Sequence, residues 1–210
     1  MTFSVLVLGG TQMLGRHFVE VLLNLPEYKV TLANRGVTNP SLFPNINRLN
    51  VDRNNPDKCE SLLGQRYDYV VDFSCYNTNQ FNNTFFYLQY RRYVLISTQS
   101  VLDTNVLEQK DRSDPYYRYC IQKKQLEDFI INNEDIKNIT IVRPCAVYGD
   151  HDYTNRFERR GSEFFWKYTN NTKASKETGC VSVTDVTESL ISLLVNPINQ
   201  EQRIHIYNIE

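Results

Sequence analysis

The sequence predicts an α/β fold, an open and doubly wound parallel sheet with helices on both faces. Three observations carry that prediction. Short continuous apolar runs recur along the chain, as at Val5–Leu8 and Tyr93–Ile96, and have the character of strands buried on both faces. Stretches with helical periodicity alternate with them from the first residues onward, which is the pattern of βαβ units. The first run also passes directly into Gly9-Gly10 and then into a helix, the arrangement that lets a strand end face a ligand.

The elements follow in order. Val5–Leu8 is the first strand, and apolar periodicity from Met13 to Leu25, closed by Pro26, predicts a helix. Strands are expected at Lys29–Ala33 and Arg48–Val51, and a short helix at Asp57–Leu63. Tyr67–Phe73 is a strand, Thr78–Tyr90 a helix and Tyr93–Ile96 another buried strand. A long helix spans Tyr116–Asn132, followed by a strand at Ile139–Val142 that runs into Arg143-Pro144. The segment 150–180 reads as irregular and polar, folding over the sheet edge, before a helix at Thr184–Leu194 and a closing strand at Arg203–Tyr207. No linker divides the chain, so residues 1–210 form a single domain.

Composition narrows the function classes. A formal net charge of −1 gives no bulk attraction for nucleic acid or an anionic membrane. The five cysteines are isolated and odd in number, which argues against a disulfide framework and for a reducing cytoplasm. No secretory n-region or long apolar run is present, so neither a signal peptide nor a membrane span is expected. His17, His151 and His205 are too scattered to suggest a metal site.

Ligands of such sheets bind at the carboxyl ends of the strands, so the strand-end loops hold the candidate residues. Gly9-Gly10-Thr11-Gln12-Met13-Leu14-Gly15 has the form of a phosphate cradle, although Gln12 stands where the middle glycine usually falls. Arg35, at the end of the second strand, is either a partner for a ribose 2′-phosphate or a solvated turn residue. Asp52 is either an acceptor for the adenine amino group or a turn cap. Tyr119 and Lys123 lie four apart and share a helix face. A free tyrosine ionises near pH ~10, and an ammonium beside it is expected to bring that value down toward the working range. Thr98, after the strand Tyr93–Ile96, supplies a hydroxyl at the neighbouring strand end.

Taken together in this order, these motifs resemble the extended or atypical branch of the short-chain dehydrogenase/reductase superfamily, the epimerase/dehydratase group. The likeness also takes in Asn34-Arg35-Gly36, Val51-Asp52-Arg53, Leu95–Val101, Val142–Asp150 and Val181–Val186, and so covers nearly the whole chain. It implies a Rossmann-like fold with a reduced C-terminal region, in which 150–180 is a small substrate-covering insertion. It implies Tyr119 as catalytic acid/base, Lys123 as its electrostatic partner and Thr98 as the hydroxyl that bonds the substrate oxygen. The cofactor contacts it implies are Gly9, Thr11, Gln12, Met13, Leu14, Arg35, Asp52, Arg53, Phe73, Ser74, Pro144 and Val147, with Pro144–Val147 running along the nicotinamide. Ser100 and Arg156 are the candidate substrate contacts, and Arg159 and Arg160 are further candidates for a pyrophosphate.

The same resemblance discriminates among reactions. The family's 4,6-dehydratases carry Asp-Glu after the catalytic threonine, whereas Gln99-Ser100 stands here, which disfavours dehydration. Family members that epimerise beside a ketone and then reduce carry a cysteine where Gln99 sits, and Cys75 and Cys145 read better as core. The expectation is an NAD(P)-dependent oxidoreductase that reduces a nucleotide-linked 4-keto sugar, with NADP favoured over NAD by Arg35. The alternatives are a nucleotide-sugar 4-epimerase and a non-catalytic NADP-binding regulator or inactive partner subunit. Members of the branch commonly run about half as long again, so the pocket is expected to be small or completed by another subunit. A homodimer through the helices 78–90 and 116–132 is implied, with Phe85, Phe86 and Leu88 either its apolar contacts or core.

Overall fold

A computed structural model describes residues 2–103, 108, 113–167, 172–196 and 203–210 of the chain. Its centre is a seven-stranded sheet, β1 (Phe3–Leu8), β2 (Tyr28–Asn34), β3 (Asn47–Asn50), β4 (Arg66–Asp72), β5 (Gln89–Ile96), β6 (Ile139–Pro144) and, after five short strands, β12 (Ile204–Ile209). All pairings are parallel and the order across the sheet is β12-β6-β5-β4-β1-β2-β3. The order reverses between β1 and β4, which places the ligand crevice at the ends of those two strands.

Alternation along each strand shows why the runs are continuously apolar. Val5 and Val7 of β1 face one core, whereas Leu6 and Leu8 face the other. The first core packs under α1 (Met13–Leu22) and the second under α2 (Thr78–Phe85) and α3 (Pro115–Asn132). The last helix, α4 (Val183–Val195), joins α1 on its face through Val183, Val186, Leu190 and Leu194. α3 starts where Asp114 accepts a hydrogen bond from the Tyr116 amide and Pro115 fills the first turn. Its buried face carries two charges, Lys123 and Glu127, and the latter is paired with Arg143 of β6.

Several expected boundaries move. α1 stops at Leu22, since Asn24 and Leu25 donate to carbonyls three residues back and tighten the turn. The Asp57–Leu63 helix is a 3₁₀ turn over Pro56–Leu62. α2 ends at Phe85 rather than Tyr90, because Gln89 and Tyr90 already pair with Arg66 and Tyr67 of β4. Phe85 and Leu88 are therefore core, and of the three residues assigned to a dimer face only Phe86 is exposed.

The segment 150–180 is not irregular. Its described part holds β8 (Phe157–Arg160), β9 (Glu163–Trp166) and β10 (Thr172–Lys173) in an antiparallel sheet, while residues 168–171 lie outside the described residues. Phe157, Phe164 and Trp166 pack with Tyr148 of β7 (Ala146–Tyr148), which itself pairs with β11 (Cys180–Ser182). Aromatic side chains on one face thus give this short sheet a core of its own.

Candidate active site

The glycine loop is shaped by close approach. A Cβ on Gly15 would lie 2.4 Å from the Gly9 carbonyl oxygen, and one on Gly9 would lie 2.7 Å from Ser74 Cβ. Gln12 is extended at φ −133°, an ordinary conformation for a side-chain-bearing residue, so the loop does not need glycine there. The left-handed backbone falls instead on Met13, at φ +33°. No side chain caps the start of α1 and its first turn has no acidic residue. Its opening N–H groups point from a helix N-terminus into the crevice, the arrangement that suits a phosphate.

A cleft of about 270 Å³ opens from this loop. Gly9, Thr11, Gln12, Met13, Leu14, Arg35, Asp52, Arg53, Phe73 and Ser74 all line it, so ten of the twelve expected cofactor contacts come together. Arg35 is exposed at its rim. Asp52 serves the cap as well, accepting from the Asn54 amide at 3.1 Å. Arg53 lines the cleft, with its guanidinium buried and turned inward. It donates to both carboxylate oxygens of Asp72 at 3.1 and 3.0 Å and to Thr84 at 3.3 Å. Asp72 is fully buried and also accepts from Tyr93 Oη and the Ser74 amide. This network ties the ends of β4 and β5 to the cleft floor.

Pro144 and Val147 do not line the cleft. Both are buried, Val147 in the core beneath α1 and α4. The cleft reaches instead to Tyr76 and Tyr153, two residues that carried no sequence signal. Beyond Tyr76 lies the second half of the site. The Tyr76 ring meets Tyr119 edge-on at 6.1 Å between centroids, and Tyr119 stacks against Tyr116 at 6.4 Å.

Lys123 is buried beneath these rings. Its ammonium donates to the carbonyl oxygens of Cys75 at 2.6 Å and Ile96 at 2.7 Å, bridging the ends of β4 and β5. Burial lowers its pKa, and Cys75 and Asp72 partly offset that. The expected lowering of the Tyr119 pKa by Lys123 is corrected here. Burial chiefly, then Tyr76, Cys120 and Tyr153, hold the Tyr119 phenol well above its usual value, and the cation that acts against them is Arg156. The reason is geometric: Lys123 Nζ directs hydrogen bonds at two carbonyls and stands 6.0 Å from the Tyr119 ring centroid.

Thr98 is engaged with a different tyrosine. Its hydroxyl donates to Ser100 Oγ at 3.2 Å, and Ser100 Oγ lies 2.7 Å from Tyr116 Oη. Thr98, Ser100 and Tyr116 thereby form a hydroxyl chain that ends at the half-exposed Tyr116. Of the three candidate arginines, Arg159 pairs with Asp150 and Arg160 with Glu158. Arg156 donates to Thr154 Oγ1 and makes no ion pair among the described residues. Cys75 is core, and burial pushes its thiol up to about 12. Among the described residues no cluster of three His, Cys, Asp or Glu is placed to hold a metal, and no helix is long and apolar enough to cross a membrane.

Comparison with known proteins identifies the family and the fold. Residues 5–189 match the NAD dependent epimerase/dehydratase family, and the chain belongs to it. No curated protein sequence matches the chain. Among solved structures it resembles a short-chain dehydrogenase/reductase from Veillonella parvula DSM 2008 in complex with NADP, with a TM-score of 0.66 and 14% identity over 97% of this chain and 92% of that one. It also resembles an epimerase from Methanothermobacter thermautotrophicus, with a TM-score of 0.68 and 15% identity over 99% of this chain and 71% of that one. A UDP-glucuronic acid 4-epimerase from Bacillus cereus, in complex with UDP-glucuronic acid and NAD, gives 0.66 and 17% over 98% and 77%. At these identities the likeness speaks for the fold.

Proposed function

We propose that the protein is an NADP-dependent oxidoreductase that reduces a carbonyl, with a nucleotide-linked 4-keto sugar as substrate. Lys123 carries the reading. A fully buried ammonium is costly and uncommon unless it is paired, yet this one makes no ion pair among the described residues. It sits at the joined ends of two central strands, one helical turn from Tyr119. Packing alone is served better by a neutral side chain, so the charge is kept for chemistry.

The cleft residues fit a dinucleotide's phosphate-bearing half: an uncapped helix N-terminus behind the glycine loop, and Arg35 at a strand end that lacks a carboxylate. The latter supports NADP over NAD. When bound, the cofactor supplies the hydride. Tyr119, whose raised pKa keeps its proton on the phenol, donates that proton to the substrate oxygen. Thr98 and Ser100 orient the oxygen through their hydroxyls. Arg156 favours the phenolate that remains, while Lys123 fixes the Cys75 and Ile96 carbonyls beneath it. The described part of the segment 150–180 covers the substrate and brings in Arg156, which is tied to no carboxylate among the described residues, to hold its phosphate.

The test is NADPH oxidation with a panel of UDP- and dTDP-linked 4-keto sugars. Turnover is expected, and Tyr119→Phe should lower it about 10²–10⁴-fold while NADP still binds. Interconversion of UDP-sugar epimers without net NADPH consumption would make the protein a 4-epimerase instead. NADP binding with no turnover of any substrate would move it to the non-catalytic regulators.

A further inference from the structure

We infer that Tyr76 is the residue that sets which nucleotides the cleft accepts. Its ring closes the compartment beside the glycine loop, so that an adenosine phosphate enters freely and a full dinucleotide enters only when Tyr76 turns aside. The inference rests on the reading of the cleft as a nucleotide site and goes beyond it. Tyr76 is the side chain shared by both halves, since it lines the cleft and also meets Tyr119 at 6.1 Å. Its ring centroid lies 5.5 Å from Lys123 Nζ, nearer than the Tyr119 ring at 6.0 Å. A ligand that starts at Gly9–Leu14 and ends beside Lys123 therefore runs along this ring.

The size of the cleft agrees. About 270 Å³ lies at the lower edge of the roughly 300–1,000 Å³ of pockets that take drug-sized ligands, which are smaller than a full dinucleotide. Tyr153 stands at the same end of the cleft, so two tyrosine side chains border it there.

The backbone under Tyr76 is fixed. Its amide donates to Gln80 Oε1 at 2.8 Å, the Cys75 carbonyl holds Lys123, and the Ser74 amide donates to Asp72. Opening is thus a side-chain rotation and not a loop movement. The side chain is 38% exposed and already borders solvent, the direction in which it can turn. A closed resting conformer lowers the apparent affinity for the dinucleotide by the fraction of molecules that are open, and leaves the smaller ligand untouched.

Calorimetric titration of the ligand-free protein with 2′,5′-ADP and with NADP⁺, for wild type, Tyr76→Ala and Tyr76→Phe, tests this. Tyr76→Ala should leave 2′,5′-ADP within twofold of wild type and tighten NADP⁺ about tenfold. Tyr76→Phe keeps the ring and loses only the hydroxyl, and should fall between. Equal changes for both ligands would overturn the inference while leaving the nucleotide site in place. Weaker NADP⁺ binding in Tyr76→Ala would do the same, by making the ring a platform and not a barrier. Failure of 2′,5′-ADP to bind wild type would overturn the nucleotide reading and the inference together.

Discussion

At the ends of β1 and β2 the site is made of backbone: a glycine loop, the uncapped start of α1, and one exposed arginine at the rim. At the ends of β4 and β5 it is made of side chains that already satisfy one another. Lys123 is bound to two carbonyls, Thr98 to Ser100 and Ser100 to Tyr116, and the Tyr76 ring meets Tyr119 edge-on. The first half presents open donors, which is what a sequence-tolerant phosphate cradle requires. The second half is closed on itself, and a ligand must exchange existing hydrogen bonds for new ones. Binding strength is therefore expected from the first half, and selectivity from the second.

The sharpest way to break this division is at the joint beneath both halves. Asp72 binds Arg53, which floors the cleft, and also Tyr93 and the Ser74 amide beside Gly9. Asp72→Asn leaves the Arg53 guanidinium buried without its counter-charge, a change that costs about 3–5 kcal/mol. Urea denaturation should show that loss, with the melting temperature down by about 10 °C. Nucleotide affinity should fall too. If stability drops by less than about 1 kcal/mol, the two halves do not share this support.

A smaller change should separate them. Gly15→Ala places a methyl 2.4 Å from the Gly9 carbonyl oxygen, a contact with rigid backbone on both sides. Overpacking of this kind costs about 1–3 kcal/mol. Binding of 2′,5′-ADP should weaken, because the loop must shift away from α1. The aromatic group around Tyr119 should keep its near-ultraviolet circular dichroism. Loss of both signals would mean that the backbone half also positions the side-chain half.

The backbone half was legible in the sequence and much of the other was not, for a physical reason. Strands β1, β4 and β5 are buried on both faces and so spell continuous apolar runs. The glycine loop is recognisable because close approach forbids a Cβ at Gly9 and Gly15. Tyr119 and Lys123 could be paired because a helix fixes their spacing. Tyr76 and Tyr153 sit in loops with no period and come together only in the fold; the one available hint was that Tyr76 follows the Phe73-Ser74 lining by two residues. The β8–β9 sheet was missed because charged residues dominate Phe157–Arg160 and its aromatic core is assembled from three separate segments. The direction of the Tyr119 pKa shift was missed because spacing shows that Lys123 is near but not where its protons point.

The finest test concerns the hydroxyl chain and sets Tyr116 against Tyr119. Burial raises the pKa of both phenols above 10.0, but the hydrogen bond from Ser100 partly lowers that of Tyr116. Ser100→Ala removes that bond, at a cost of about 0.5–1.5 kcal/mol, and should raise the Tyr116 pKa further. A phenol whose folded pKa is raised contributes stability that is complete below its unfolded value near 10.0 and is lost as the pH climbs past it. Ser100→Ala should therefore match wild type in its pH dependence below 10 and lose stability more steeply above it. Ultraviolet titration, with Tyr116→Phe and Tyr119→Phe to assign the signals, should show the shift at Tyr116 alone. Movement of both tyrosines together would mean that the stacked rings titrate as one unit, and that Ser100 reaches the proton of Tyr119 through Tyr116.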